Sequence, residues 1–291
     1  MPAVNDAWAR QQLEVHQQKV RVILGEKELK RVDNPKAKPR ARLAALKRVL
    51  EELPDGAIPF LQGFNLWRTC AELREIIASP ELAGTASQLL GCERVRLYQD
   101  SIFVKRPGDG VTHWHSDLAM APLDTNSFVT CWLPIQAVPA EEDGGSGLVF
   151  ASGSHRDVSL HHWYTTALEP LEDGEELDVS DRGYVESLPG ALEVGDATWH
   201  HGWTLHTANG NPLRHARVAL AFSYFADGAK RLPREGSRRP HAEDAESYAA
   251  WTKGRGAVKP GRPAAHRLLP LVWAAGPVPT IAAPDGQHDG S

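Results

Sequence analysis

Val95-Arg96-Leu97-Tyr98-Gln99-Asp100-Ser101-Ile102-Phe103-Val104-Lys105 carries β-branched and aromatic residues with no helical period. Such side chains fit a pleated surface better than a helix. The same character returns at Phe128 to Val138, Leu148 to Ala151, Ala191 to Val194, Ala197 to Trp203 and Arg217 to Phe225, with turns containing Gly and Pro between them. Strands do not alternate with helices, so a parallel, doubly wound sheet is excluded. The fold class is mainly β with flanking helices, an antiparallel sandwich or barrel.

Upstream of Cys92 the pattern is different. Asp6 to about Ser87 reads as helical: Leu43, Leu46, Leu50 and Leu53 fall at helical spacing and Pro54-Asp55-Gly56 ends that helix. Ser79-Pro80 reads as an N-cap followed by proline at the first helical position, and Gly91 closes the helix after it. This organises the chain as a helical N-terminal extension over 1–54, a β domain over 55–275 and a loose tail over 276–291 rich in Pro, Gly and Ala. Within the β domain, residues 156–186 hold nine acidic and two basic side chains with little periodicity, which suggests a lid or insert. The aromatic part, His161-His162-Trp163-Tyr164, would form its inner side.

With 291 residues and 42% hydrophobic side chains, the chain can bury a full core and is not disordered throughout. No apolar run approaches the roughly 18 residues of a membrane-spanning helix, and a net charge of −5 gives no general attraction to nucleic acid or anionic lipid. Residues 27–48 carry nine basic and two acidic side chains, which read as a solvated helical face rather than a nucleic-acid-binding arm. Cys70, Cys92 and Cys131 are odd in number and widely spaced, as reduced thiols are. The first ten residues lack a secretory core, so an intracellular, cytoplasmic protein is expected. Oligomeric state is not legible.

Two histidine-rich segments carry the chemistry. In His113-Trp114-His115-Ser116-Asp117, residues 115 and 117 share a face if the backbone is extended, offering an imidazole and a carboxylate to one ion. A third ligand is available in Trp199-His200-His201-Gly202-Trp203-Thr204-Leu205-His206. Two histidines and a carboxylate suit non-haem iron(II), with three coordination positions left open. Arg217 follows His206 across the turn-forming Asn209-Gly210-Asn211-Pro212, so a hairpin would bring the two onto adjacent strands. A guanidinium there could pair bidentately with the far end of a metal-chelated dicarboxylate. A zinc site built from His113, His200 and His201, as in a cupin-like metallohydrolase, and a catalytically silent binding module remain open on spacing alone.

These blocks together resemble the phytanoyl-CoA dioxygenase family of iron(II)- and 2-oxoglutarate-dependent oxygenases. The matching residues run in order: Val95 to Asp100 and on to Lys105, His113 to Asp117, Val129-Thr130-Cys131-Trp132, Gly147-Leu148-Val149-Phe150 with Gly153-Ser154-His155, Gly195-Asp196, His200 to His206, and Arg217. Phe60 to Trp67 and Leu268 to Trp273 extend the resemblance over roughly residues 55–275. It implies a double-stranded β-helix (jelly-roll, cupin-like) core, with His115, Asp117 and His206 as the metal ligands and catalytic centre. Arg217 matches the residue that binds the distal carboxylate of 2-oxoglutarate. Trp132, Ser101 and Lys105 match positions around that co-substrate. The implied cofactors are Fe(II), 2-oxoglutarate and O2, with ascorbate as reductant. The implied reaction is hydroxylation of an unactivated C–H bond of a small-molecule or acyl substrate, with release of succinate and CO2.

The chain departs from the family in two places. Two positions after the last histidine ligand, where a small hydroxyl residue is common, it has Ala208, so Thr207 or a water would have to substitute. The familiar Pro-Gly-Ser-His turn reads Ser152-Gly153-Ser154-His155, and His155 is expected to be a turn residue rather than a ligand.

Overall fold

Along Arg94–Lys105 (β2), Val95 and Leu97 take one face, and a register shift at Tyr98 switches the alternation, so that Ser101 and Lys105 take the other. β2 is the spine of the larger of two antiparallel sheets. The computed structural model describes residues 9, 12–13, 17–34, 36–160, 179–233, 251–277 and 280–284. The larger sheet runs in the order β1 (Leu61–Phe64), β2, β10 (Arg217–Ala226), β5 (Phe128–Pro134), β8 (Thr198–His201), and β12 (Leu271–Ala274) pairs with the start of β2. The smaller sheet runs β3 (Thr112–His115), β9 (His206–Ala208), β6 (Val149–Ser152), β7 (Val185–Ser187). A two-stranded ladder of β4 (Leu123–Asp124) and β11 (Lys230–Arg231) lies apart. The two main sheets share an apolar interior in which Trp132, Ala219 and Ala221 of the larger meet Ala208 and Phe150 of the smaller. This is the expected double-stranded β-helix.

The outer face of the larger sheet is covered by helices. Val95, Leu97, Cys131, Phe222 and Tyr224 pack against Ile77, Leu82 and Ala86, from α3 (Ala71–Ile77) to α4 (Thr85–Leu90). A π-helical turn, Pro80–Gly84, connects these helices. Ser79 caps that turn as expected, its hydroxyl accepting from the Leu82 N–H, and Gly91 ends α4 at φ 62°. Asp100 points into this layer. Its two oxygens accept the main-chain N–H groups of Leu66 and Trp67, and burial pushes its carboxyl up to about 6.

The N-terminal helices, α1 (Gln17–Val32, broken at Gly25) and α2 (Pro39–Glu52), have their own apolar cluster with Leu24, Leu29, Leu46 and Val49 at its centre. The basic run between them is used locally. Arg42 is buried and donates to the carbonyls of Val32 and Asn34, and Arg48 pairs with Glu28 at 2.8 Å. Among the described residues no helix is long and apolar enough to cross a membrane.

The expectations need correction in several places. The segment read as helical up to Ser87 contains β1, because Leu61–Phe64 pairs with the edge of β2 and pairing overrides local pattern. Ala191 to Val194 forms only isolated bridges, Val138 with Leu192 and Val194 with Asp196. The stretch after Gly276 is not uniformly loose, since Ile281 joins the core beneath the helices. Within 156–186, β7 pairs with β6 and so belongs to the smaller sheet. The remainder proposed as a lid, residues 161–178 with Trp163 and Tyr164, lies outside the described residues. The described residues on either side of it, Leu160 and Val179, belong to one apolar cluster with Ala151 and Leu205.

Candidate metal centre

β3 and β9 are antiparallel neighbours whose register pairs His115 directly with His206. Directly opposed residues have adjacent Cβ atoms, and the two imidazole rings lie 4.2 Å apart. β3 ends at His115, but Ser116 keeps an extended backbone (φ −125°, ψ 136°), so Asp117 returns to the face of His115 before the chain turns. The His-x-Asp spacing thus works as its sequence suggested. His115 Nε2 is 3.9 Å and His206 Nε2 3.7 Å from Asp117 Oδ1, and the three donor atoms lie within 4.8 Å of one another. Among the described residues this is the one such group.

Main-chain contacts set the tautomers. His115 Nδ1 is 2.8 Å from the His113 carbonyl, and His206 Nδ1 is 3.1 Å from that of Thr204. A carbonyl can only accept, so each Nδ1 carries the proton and each Nε2 keeps its lone pair for an ion. Burial, with His115 and His200 nearby, holds His206 well below the usual histidine range. Burial alone would raise Asp117, but the imidazoles of His206, His200 and His115 outweigh it and keep the carboxyl well below the usual carboxylate range. Two lone-pair nitrogens and one carboxylate oxygen form a donor set that fits iron(II).

Asp117 Oδ2 is already engaged. Thr130 Oγ1 donates to it at 2.6 Å, and His200 Nε2 lies 3.0 Å from it. Thr130 was not singled out from sequence as a site residue, and His200 only as a member of the alternative zinc set. The signal existed in part, since Thr130 and Trp132 are two apart on one strand and must share a face. The suggested zinc set does not assemble. His113 is exposed, and His201 accepts the Trp203 N–H while its ring lies near His155. His155 sits in a single 3-10 turn, as expected.

The expected hairpin between His206 and Arg217 does not form: β9 and β10 go to different sheets, and Arg217 opens β10 opposite Lys105 at the end of β2. Its guanidinium is buried, lies 5.2 Å from the Trp132 ring, and among the described residues reaches one polar partner, Ser146 Oγ at 3.4 Å. Among the described residues its Nε has no partner and no carboxylate lies within ion-pair range. Burial pulls it down from the usual guanidinium range to about 10. Ser101 lies in one row with Ala221 and Trp132 across three strands. Lys105 is next to Arg217, but its ammonium donates to the carbonyls of Gly110, Asn209 and Ala208. It therefore ties the turn after β2 to the end of β9. Thr207 cannot replace the hydroxyl missing at Ala208: its own hydroxyl donates to the Thr112 carbonyl, and Ala208 faces the interior. Ser146, on the loop before β6, is the hydroxyl that reaches the arginine. Gly145 beside it tolerates no side chain, because a Cβ would lie 1.8 Å from the Pro139 carbonyl oxygen.

Comparison with known proteins agrees with this geometry. A curated relative, "Probable alpha-ketoglutarate-dependent hypophosphite dioxygenase" of Stutzerimonas stutzeri, is 27% identical over 160 residues, 53% of each chain. The match thus spans about half of that relative. Among solved structures, the non-heme alpha ketoglutarate dependent epimerase SnoN from nogalamycin biosynthesis superposes with a TM-score of 0.56 at 21% identity, covering 79% of this chain and 87% of its own. The carbocyclase SnoK from the same biosynthesis gives a TM-score of 0.56 at 24% identity, covering 80% and 86%. At these identities the likeness concerns the fold. The family profile of phytanoyl-CoA dioxygenase (PhyH) matches residues 28–219, from the first helix to the sheet that carries Arg217. With this match over most of its length, the chain belongs to the phytanoyl-CoA dioxygenase family.

Proposed function

We propose that the chain is an iron(II)- and 2-oxoglutarate-dependent dioxygenase that hydroxylates a C–H bond of a small-molecule substrate. The observation that carries this reading is Arg217. A buried guanidinium without a counter-ion is costly; here it lies against Trp132, in an apolar interior whose Phe150 ring is 6.3 Å from that of His206. A five-carbon dicarboxylate between the guanidinium and the His115, Asp117 and His206 cluster would satisfy both ends. Neither a hydrolase nor a silent binding module gives this arginine a reason.

His115 Nε2, His206 Nε2 and Asp117 Oδ1 would hold the ion. When bound, iron(II) supplies the oxygen activation and C–H oxidation that accompany conversion of 2-oxoglutarate to succinate and CO2. The chain's own part is binding and orientation. Arg217 pairs with the distal carboxylate, the Trp132 ring backs the guanidinium, and Ser146 Oγ accepts a hydrogen bond from it. Alanines at 208, 219 and 221 leave room at inner positions around Trp132. Ser101 closes the same row, and Lys105 supports it from outside. Trp132, Phe150 and Leu148 keep the interior apolar, which strengthens the charged contacts made within it. Ascorbate is the expected reductant. Free thiols at Cys70, Cys92 and Cys131 support a reducing, cytoplasmic setting.

The test is anaerobic reconstitution with iron(II), then addition of oxygen and 2-oxoglutarate against a metabolite library. Succinate should form with a product heavier by one oxygen. Full activity with zinc alone, or product formed without 2-oxoglutarate, would overturn the reading.

A further inference from the structure

The two oxygens of Asp117 have different surroundings. Oδ1 faces His115 and His206, and Oδ2 faces Thr130 and His200. We propose that His200 is a positioning residue for the metal-binding carboxylate: with Thr130 it engages Oδ2 and leaves Oδ1 as the one oxygen offered to the ion. This rests on the iron reading above.

The sheet brings the two donors together. β5 and β8 pair Thr130 with His200, so both side chains rise from adjacent strands on the same face. The imidazole is nearly enclosed, with 3% of its side chain exposed. It is held between the His206 ring at 4.3 Å and the Phe150 ring at 5.5 Å, so its direction is set by packing. Its protonation site follows from the contact. A lone pair on Nε2 would face the lone pairs of a carboxylate oxygen at 3.0 Å, whereas a proton there makes a charge-assisted hydrogen bond. Among the described residues Nδ1 has no partner, so a proton there would be a buried donor without an acceptor. His200 thus carries its proton on Nε2. That nitrogen is no longer available to a metal, which makes His200 a donor to a ligand rather than a fourth ligand.

The consequence concerns coordination number. A carboxylate free to turn can chelate with both oxygens and fill two of six positions. With Oδ2 engaged by two donors, Asp117 binds through one oxygen. Three positions then remain, as many as a bidentate 2-oxo acid and one oxygen molecule require.

The test uses the full-length protein and cobalt(II), whose visible ligand-field bands report coordination without turnover. His200→Phe keeps the ring volume and removes the donor, His200→Gln retains a donor, and Thr130→Val removes the other half of the clamp. Loss of such an outer-shell partner should weaken cobalt(II) binding about 10–100-fold. His200→Phe should show that loss together with altered visible bands and a smaller spectral response to added 2-oxoglutarate, while His200→Gln restores most of each. Thr130→Val should change the bands in the same direction, which keeps the clamp testable if His200→Phe does not fold. Wild-type affinity and bands in both His200→Phe and Thr130→Val would overturn the proposal. So would complete loss of metal that His200→Gln does not restore, because His200 would then be a ligand. Failure of the wild-type protein itself to bind cobalt(II) or iron(II) would instead refute the iron reading.

Discussion

Replacing Arg217 with methionine should move stability and co-substrate binding in opposite directions. The guanidinium is buried, its Nε is unpartnered, and one contact at 3.4 Å satisfies the rest of it weakly. Burial pulls its pKa down from the usual guanidinium range to about 10, a penalty of about 3 kcal/mol on the charged form. The Trp132 ring at 5.2 Å returns about 1–2 kcal/mol of that as a cation–π contact. Methionine has a similar length and no charge, so Arg217→Met should stabilise the ligand-free protein by about 1–2 kcal/mol, or roughly 2–4 °C in Tm. With 2-oxoglutarate the balance reverses. The distal carboxylate would enter the same dry pocket without its partner, at a cost of about 2–5 kcal/mol, or roughly 30- to several-thousand-fold in Kd. Thermal melts of the metal-loaded protein with and without 2-oxoglutarate, alongside calorimetric titration, read both effects. The wild type should gain stability on adding the co-substrate, and the variant should start higher and gain almost nothing. Unchanged co-substrate affinity would show that another group holds that carboxylate. A fall of several kcal/mol in ligand-free stability would mean the guanidinium already has a structural counter-charge.

His115→Ala and His206→Ala should each abolish iron(II) retention, measured by metal analysis after desalting, while leaving the far-UV circular dichroism of the sheets unchanged. Lys105 is drawn from 10.5 down to about 7 by burial and by Arg217, against the pull of Asp109. The folded state then binds fewer protons than the unfolded chain between those values, so stability should rise with pH across that window. Lys105→Met should remove that rise, about 1–2 kcal/mol between pH 7 and 9 by thermal melts, and an unchanged pH slope would refute the assignment. Gly202→Ala would place a Cβ 2.8 Å from both Leu118 Cβ and Phe128 Cδ1. It should cost about 1–3 kcal/mol and, because Leu118 follows Asp117, weaken metal binding as well. A stable variant with normal metal affinity would show that the turn adjusts freely.

Local chemistry carried much of what the sequence determined alone. β-branched and aromatic content marked β2, β5 and β10, and the Ser79-Pro80 start and Gly91 stop of the helical turns followed from capping and the left-handed backbone that glycine tolerates. The His-x-Asp spacing put two donors on one face because an extended backbone repeats every two residues, and Ser116 remains extended. Partners from distant strands were decided only by tertiary structure. β1 is a strand because β2 offers it an edge, not because Leu61-Gln62-Gly63-Phe64 has a strong preference. Lys105 gave no hint that its ammonium would meet three carbonyls, two of them more than a hundred residues away. Two neighbouring histidines in β8 looked equivalent. The pairing of β8 with β5 turns His200 inward to Asp117, and His201 instead accepts the Trp203 N–H. The turn after His206 suggested a hairpin with Arg217, but β9 and β10 lie in different sheets, and the lack of a counter-ion among the described residues is a property of everything packed around Arg217. Spacing along the chain determines which face a side chain takes, while its charge environment depends on what the rest of the fold brings to that face.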